Sequence, residues 1–195
     1  MNSFMGSNAL LALVVLCWSP ATSAQPINST APGVHAATGM TFPARIGDYA
    51  KLIYSVDRGR AGSQPDLAWY YAVDTPLGGT VTVYISNLGQ TEIPTGPDSP
   101  LAKAELDDGV AVVTQMLSRP LQTVKGPTEC TLARLTFRCI TLLDRMPNGV
   151  PVYTMLLATG YRNHVVFISA EWNGKMVTLT EAEEYLDGFL SVVMR

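Results

Sequence analysis

The sequence predicts an α+β protein, an α/β/α sandwich in which helices cover both faces of a largely antiparallel sheet. Two segments repeat apolar residues at three- and four-residue steps, which is the periodicity of helices. Several strand-like segments are separated by short turn sequences, which favours antiparallel pairing. The last two strand-like segments are apolar on both faces, and such strands have to be covered on both sides. The predicted element order is three strands, a helix, three strands and a terminal helix, βββ-α-βββ-α.

Three strands are predicted in the first half of the folded domain. Residues 49–56 alternate loosely between apolar and polar side chains, and residues 67–73 and 80–86 alternate more clearly. A period of two is typical of strands. Residues 75–79, Thr-Pro-Leu-Gly-Gly, are expected to join the second and third strands as a hairpin loop.

The first helix is expected to follow a Gly/Pro-rich loop over residues 89–99. Ser99 is a suitable N-cap and Pro100 suits the first helical position. Pro120 ends the helix, because the residue before a proline is displaced from helical geometry. One apolar stripe runs along this segment: Leu106, Val110, Val113 and Leu117.

The second half contains the clearest patterns. Residues 133–139 alternate as a strand, Pro147-Asn148-Gly149 is a strong turn signal, and residues 151–158 and 165–172 are the two-sided apolar strands. Thr180 and Glu183 have the spacing of a capping box at the start of the terminal helix.

The N-terminal region predicts export. Residues 9–18 form an unbroken apolar run, too short to span a membrane, and Thr22 and Ala24 stand at positions −3 and −1 of a cleavage before Gln25. The predicted organisation is a signal peptide at 1–24, a flexible tether at 25–41 and a single globular domain at 42–195. The mature protein is therefore expected in the periplasm or outside the cell.

The cysteines fit an oxidising compartment. Cys17 lies inside the apolar run, and Leu16 before it is too large for a lipoprotein cleavage site. Cys130 and Cys139 are expected to form a disulfide. The alternative is a pair of buried thiols on one continuous strand, which would hold them about 30 Å apart. A disulfide requires the chain to reverse between them, although residues 132–134 contain no Gly, Asn or Pro.

The element order and the two-sided burial over residues 42–195 resemble the Mog1/PsbP-like fold of small exported bacterial proteins. That fold is an α/β/α sandwich around an antiparallel sheet. The resemblance implies an interaction module, and it supplies no catalytic residues to transfer.

Charge and residue types argue against several functions. The net charge is −3 and no basic run is present, so nucleic acid is not an expected partner. No apolar run after the signal is long enough to span a membrane. His35 falls in the tether and His164 in a hairpin turn, so we expect no metal site and no cofactor.

No catalytic residues are predicted. Asp107 and Asp108 are adjacent on a helix, so their side chains diverge. The acidic residues that open the terminal helix are explained by its dipole. Glu171 is an isolated carboxylate on a strand.

One candidate contact surface remains. Tyr70 and Tyr84, with Thr82 and Ser86, project from the face opposite the alternating core residues of the second and third strands. They either pack beneath a helix or form an aromatic patch for a protein partner in the cell envelope, since tyrosine is enriched at interfaces.

The sequence therefore predicts a non-enzymatic interaction module of the adaptor, inhibitor or immunity type. The alternatives are a binder of small apolar ligands or lipids and an envelope hydrolase that uses convergent carboxylates.

Overall fold

The computed structural model describes residues 33–55, 67–73, 79–117 and 121–195, with the backbone alone for 50–55 and 67–73. The predicted signal peptide, 1–24, and residues 25–32 of the predicted tether lie outside the described residues. The two described helices are α1 (Pro100–Leu117) and α2 (Leu179–Val193). The described strands are β1 (Gly33–Val34), β2 (Thr41–Phe42), β3 (Arg45–Ile46), β4 (Tyr49–Ser55), β5 (Leu67–Val73), β6 (Gly79–Ser86), β7 (Gln122–Leu132), β8 (Leu135–Arg145), β9 (Pro151–Tyr161) and β10 (His164–Asn173).

An eight-stranded sheet forms the centre of the domain, in the order β3-β4-β5-β6-β10-β9-β8-β7. Every neighbouring pair in it is antiparallel. Strands β1 and β2 form a separate two-stranded sheet. The predicted α+β class with a largely antiparallel sheet is confirmed.

The two helices lie on opposite faces of this sheet. Along β10, Val166 and Ile168 belong to the core beneath α2, while Val165 and Phe167 belong to the core beneath α1. Because side chains alternate along a strand, each face of β10 is buried by a different helix. The two-sided apolar pattern of the C-terminal strands has this physical origin.

The structure adds strands to the predicted order βββ-α-βββ-α: the short strands β1, β2 and β3 precede the three predicted before α1, and β7 is a fourth strand between the helices. It lies at the edge of the sheet, and residues 122–129 are all exposed. A strand without a buried face has no reason to alternate apolar and polar residues. Lys125, Gly126 and Pro127 are suited to an edge strand that does not pair further.

The predicted disulfide between Cys130 and Cys139 is confirmed, with the two Cα atoms 6.0 Å apart. The chain reverses at Ala133 and Arg134, which both adopt positive φ angles, 49° and 68°. Asp187 of α2 accepts a hydrogen bond from the Ala133 N–H at 2.8 Å. The turn therefore forms without the glycine or asparagine that usually marks it, and a contact from the neighbouring helix stabilises it.

Helix α2 begins slightly earlier than predicted. Thr178 is its N-cap, and Thr178 and Glu181 form a capping box two residues before the predicted pair, Thr180 and Glu183. Both Thr178–Glu181 and Thr180–Glu183 have the capping-box spacing. The first pair forms the cap, and Leu179 takes the first helical position.

The described part of the predicted tether is packed against the domain. Strands β1 and β2 pair as an N-terminal hairpin, residues 33–42, and the side chains of Met40 and Phe42 are 2% and 0% exposed. The Thr41 hydroxyl donates to the carbonyl of Val192 at 3.5 Å. Within residues 33–41, the prediction of a flexible segment is therefore replaced by an anchored hairpin, since Met40 joins Phe42 in the α2-side core.

Candidate functional site

The face of the sheet beneath α1 is apolar at one end. Phe167 of β10 stands between Tyr84 of β6 and Ala158 of β9. Helix α1 crosses this end closely, because a Cβ atom built on Gly109 would lie 2.6 Å from the Phe167 Cζ atom. Helix α1 contacts β8, β9 and β10, and Tyr84 of β6 packs against the core beneath it.

The same face becomes polar toward the other end of β10. Four residues beyond Phe167, about 13 Å along the strand, Glu171 stands between Thr80 of β6 and Thr154 of β9. Thr154 is 3% exposed, whereas Thr80 and Glu171 are partly exposed. Hydroxyl and carboxyl groups therefore replace apolar side chains where the face extends beyond Phe167.

The predicted contact residues occupy β5 and β6 of this sheet. Tyr84 is partly exposed, and its ring centroid lies 5.8 Å from that of Phe167. Ser86 is also partly exposed, and its hydroxyl accepts a hydrogen bond from the Leu88 N–H at 2.9 Å. Thr82 is only 7% exposed, so it offers little surface to a partner. Tyr70 pairs with Thr82 in the sheet, and its side chain lies outside the described part of the structure.

Glu171 is the most perturbed carboxylate among the described residues. Burial, and then the charge of Asp144, raise its pKa from 4.5 to about 7. Asp144 lies on β8, two strands away, and is 8% exposed. From the strand spacing and the register, their Cα atoms are about 12 Å apart.

The sequence analysis treated Glu171 as an isolated carboxylate, because nothing in the local pattern shows that β8 brings Asp144 to the same face. The signal that the sequence did offer is that Glu171 lies on a strand whose other face is apolar, so this carboxyl group was a candidate for burial. A carboxyl group with this pKa exchanges a proton near neutral pH. It can also form an ion pair with an incoming cation.

The two histidines, which the sequence analysis placed far apart, are in contact. Their ring centroids are 5.0 Å apart and the rings are nearly perpendicular, at 81°. His35 is 5% exposed and His164 is 7% exposed. The N-terminal hairpin produces this contact by returning residue 35 to the start of β10.

Neither of these clusters is a metal centre of ordinary composition. Within residues 33–55, 67–73, 79–117 and 121–195, no group of three or more His, Cys, Asp and Glu side chains is placed to hold a metal ion. In the same ranges, no helix has the length and apolar character needed to cross a membrane.

No protein-family model, curated protein or solved structure matches the chain.

Proposed function

We propose that this protein is an exported interaction module, periplasmic or secreted, that binds a protein partner through the α1-side face of its sheet. The contact surface consists of Tyr84, Ser86, Ser169 and Glu171, and we call it the tyrosine surface. The disulfide supports an oxidising compartment. Membership of the Mog1/PsbP-like fold class is part of the proposal and rests on element order and two-sided burial.

One observation carries the proposal: α1 contacts β8, β9 and β10, and Tyr84 of β6 packs at the margin of the core beneath α1 and is partly exposed. Its ring is held against Phe167, which reduces the entropy that a partner would have to remove on binding. Ser86, Ser169 and Glu171 provide partly exposed hydrogen-bonding groups on the same face. An ordered aromatic side chain with polar neighbours is the usual anatomy of a binding surface.

The charge of this surface indicates the chemistry of the partner. Glu171 and Asp144 place two carboxyl groups on one face of a chain whose net charge is −3. A lysine or arginine of the partner that pairs with Glu171 would lower the pKa of this carboxyl group from about 7. Binding near neutral pH would then release a proton.

Site-specific photocrosslinking tests the location of the contact. A photoreactive amino acid replaces Tyr84 in one variant and Tyr185 in a matched control. Tyr185 is a tyrosine on α2 that is 45% exposed, on the opposite side of the sheet. The proposal expects one discrete crosslinked partner from position 84 that is absent from position 185. Equal crosslinking from both positions, or none from position 84 in an envelope where the protein is expressed, would contradict it.

A second function is favoured by the raised pKa of Glu171 alone. A carboxyl group with a pKa of about 7, on the same face as a second carboxyl group at Asp144, has the raised pKa that general acids of hydrolases require. If the protein is an envelope hydrolase, Glu171→Gln should abolish turnover of a cell-wall glycan while Glu184→Gln, on α2, retains it. Turnover by the Glu171→Gln variant at the wild-type rate would remove this candidate.

A further inference from the structure

The contact between His35 and His164 joins the N-terminal hairpin to the start of β10. Both rings are buried, and each has one ring nitrogen engaged with the backbone. This contact is independent of the tyrosine surface and of the function proposed for it.

The hydrogen bonds define the proton position on each neutral ring. The Nδ1 atom of His164 lies 2.9 Å from the carbonyl of Arg162, which only accepts, so Nδ1 carries the proton and Nε2 is bare. The Nδ1 atom of His35 accepts the N–H of Thr38 at 3.2 Å and lies 2.9 Å from the Thr38 hydroxyl, which can donate to it, so the neutral ring satisfies both contacts with its proton on Nε2. Both rings therefore satisfy their backbone contacts in the neutral form.

A second proton on His35 is unfavourable. The new proton would sit on Nδ1, where it would face the Thr38 N–H and would require the Thr38 hydroxyl, 2.9 Å away, to change from donor to acceptor. The Nε2 atom of the neighbouring His164 is buried and has no hydrogen-bond partner among the described residues. Two cationic rings 5.0 Å apart would also repel each other.

The surrounding charges add to this effect. The Arg162 guanidinium donates to the carbonyl of Thr38 at 2.7 Å and lies over the Tyr161 ring at 5.2 Å, so a permanent cation already stands beside the hairpin. The end of α2 reaches the same hairpin through Val192, and residues 190–193 contain no ionisable side chain. Arg195, a further cation, follows that last turn.

We propose that His35, packed against His164, forms an acid-sensitive latch, which holds the N-terminal hairpin on the domain when the His35 ring is neutral and releases it when that ring is protonated. Release would uncover Met40 and Phe42, which are buried in the α2-side core of the docked form.

The pH dependence of hairpin docking follows from the pKa of His35, whose buried ring is more stable in the neutral form. Burial, and then the charge of His164, lower the pKa of His35 from 6.5 to about 4. The released hairpin binds protons more readily than the docked one, so docking weakens as the pH falls from about 6.5 to about 4.

Hydrogen exchange on the chain expressed from its full sequence tests the latch. The reporters are the His35 amide, which donates to Met40 O, and the Gly39 amide, which donates to His35 O. After correction for intrinsic exchange, their protection should fall at least tenfold from pH 7 to pH 4.5, while Ile168 in the central sheet keeps its protection. Unchanged protection of both reporters would overturn the proposal.

A double variant, H35N/H164N, removes both titrating rings, and asparagine can replace each Nδ1 contact with a side-chain oxygen or nitrogen. Its reporter protection should change less than twofold over the same pH range, whereas the control Asp108→Asn, at an exposed position on α1, should open as the wild type does. Opening of the double variant to the wild-type extent would overturn the latch. A direct NMR titration of the wild-type imidazoles needs no variant: a His35 pKa below 5 supports the latch, and a value near 6.5 overturns it.

Discussion

Replacing Gly109 with alanine probes how closely α1 packs on the sheet. Alanine in place of glycine in an open helix interior stabilises a protein by about 0.5–1 kcal/mol. This gain should appear at Gly188 of α2, where a Cβ atom would meet nothing within 4 Å. At Gly109 the same atom would lie 2.6 Å from Phe167 Cζ, and overpacking of a core costs about 1–3 kcal/mol. We therefore expect Gly109→Ala to be about 1–3 kcal/mol less stable than Gly188→Ala.

Urea unfolding followed by circular dichroism measures this difference, provided that both variants keep the wild-type slope. Phe167→Leu removes the ring atoms that a Cβ at position 109 would meet, so Gly109→Ala should cost less in the Phe167→Leu background. The two substitutions should therefore be coupled. Equal stabilisation by Gly109→Ala and Gly188→Ala would refute the close crossing of α1 over Phe167.

Four further predictions follow from the fold and the site. Phe189→Ala should lower the free energy of unfolding in urea by about 3–5 kcal/mol, because this ring is 2% exposed in the α2-side core. Reduction of the Cys130–Cys139 bond should cost about 2.5–3 kcal/mol for its short loop, measured by unfolding with and without reductant. Because the pKa of Glu171 is raised to about 7 in the folded protein, protonated Glu171 stabilises the fold, and this contribution is lost as the pH rises from about 4.5 to 7. The thermal midpoint of the wild type should therefore fall over this range, and that of Glu171→Gln should lack this fall. Mass spectrometry of the protein purified from its host should find Gln25 at the N-terminus, and an uncleaved chain would contradict the predicted export signal.

Glu171 and His35 affect the pH dependence of stability in opposite directions. The contribution of Glu171 is present below about pH 4.5, while that of His35 is present above about pH 6.5. The two effects partly cancel in the wild-type protein. In the Glu171→Gln variant, the acid loss due to His35 should therefore become more visible.

Much of the fold could be predicted because burial on both faces leaves a clear pattern. The sequences of β9 and β10 are apolar on both faces, which predicts that both faces are covered, and in the structure one helix covers each face. Strand β7 could not be predicted in this way, because an exposed edge strand buries no regular set of side chains. The reversal of the chain at Ala133 could not be predicted from the local sequence either, because Asp187 of α2 stabilises that turn from a distant part of the chain.

The candidate site was only partly predictable. Tyr84 and Ser86 follow from strand alternation, and both are partly exposed. The burial of Thr82, the pairing of His35 with His164 and the perturbation of Glu171 by Asp144 all depend on the order of strands in the sheet. That order is set by long-range packing, and no local spacing encodes it.

The affinity of the crosslinked partner for three purified proteins tests the central claim most directly. Calorimetry should compare the wild type with Tyr84→Ala and with the exposed control Tyr185→Ala, after confirming that each variant is folded at the assay temperature. The tyrosine surface predicts that Tyr84→Ala weakens binding at least tenfold, about 1.4 kcal/mol, and that Tyr185→Ala changes it less than twofold. Wild-type affinity in Tyr84→Ala, or a larger loss in Tyr185→Ala, would contradict the proposed contact surface.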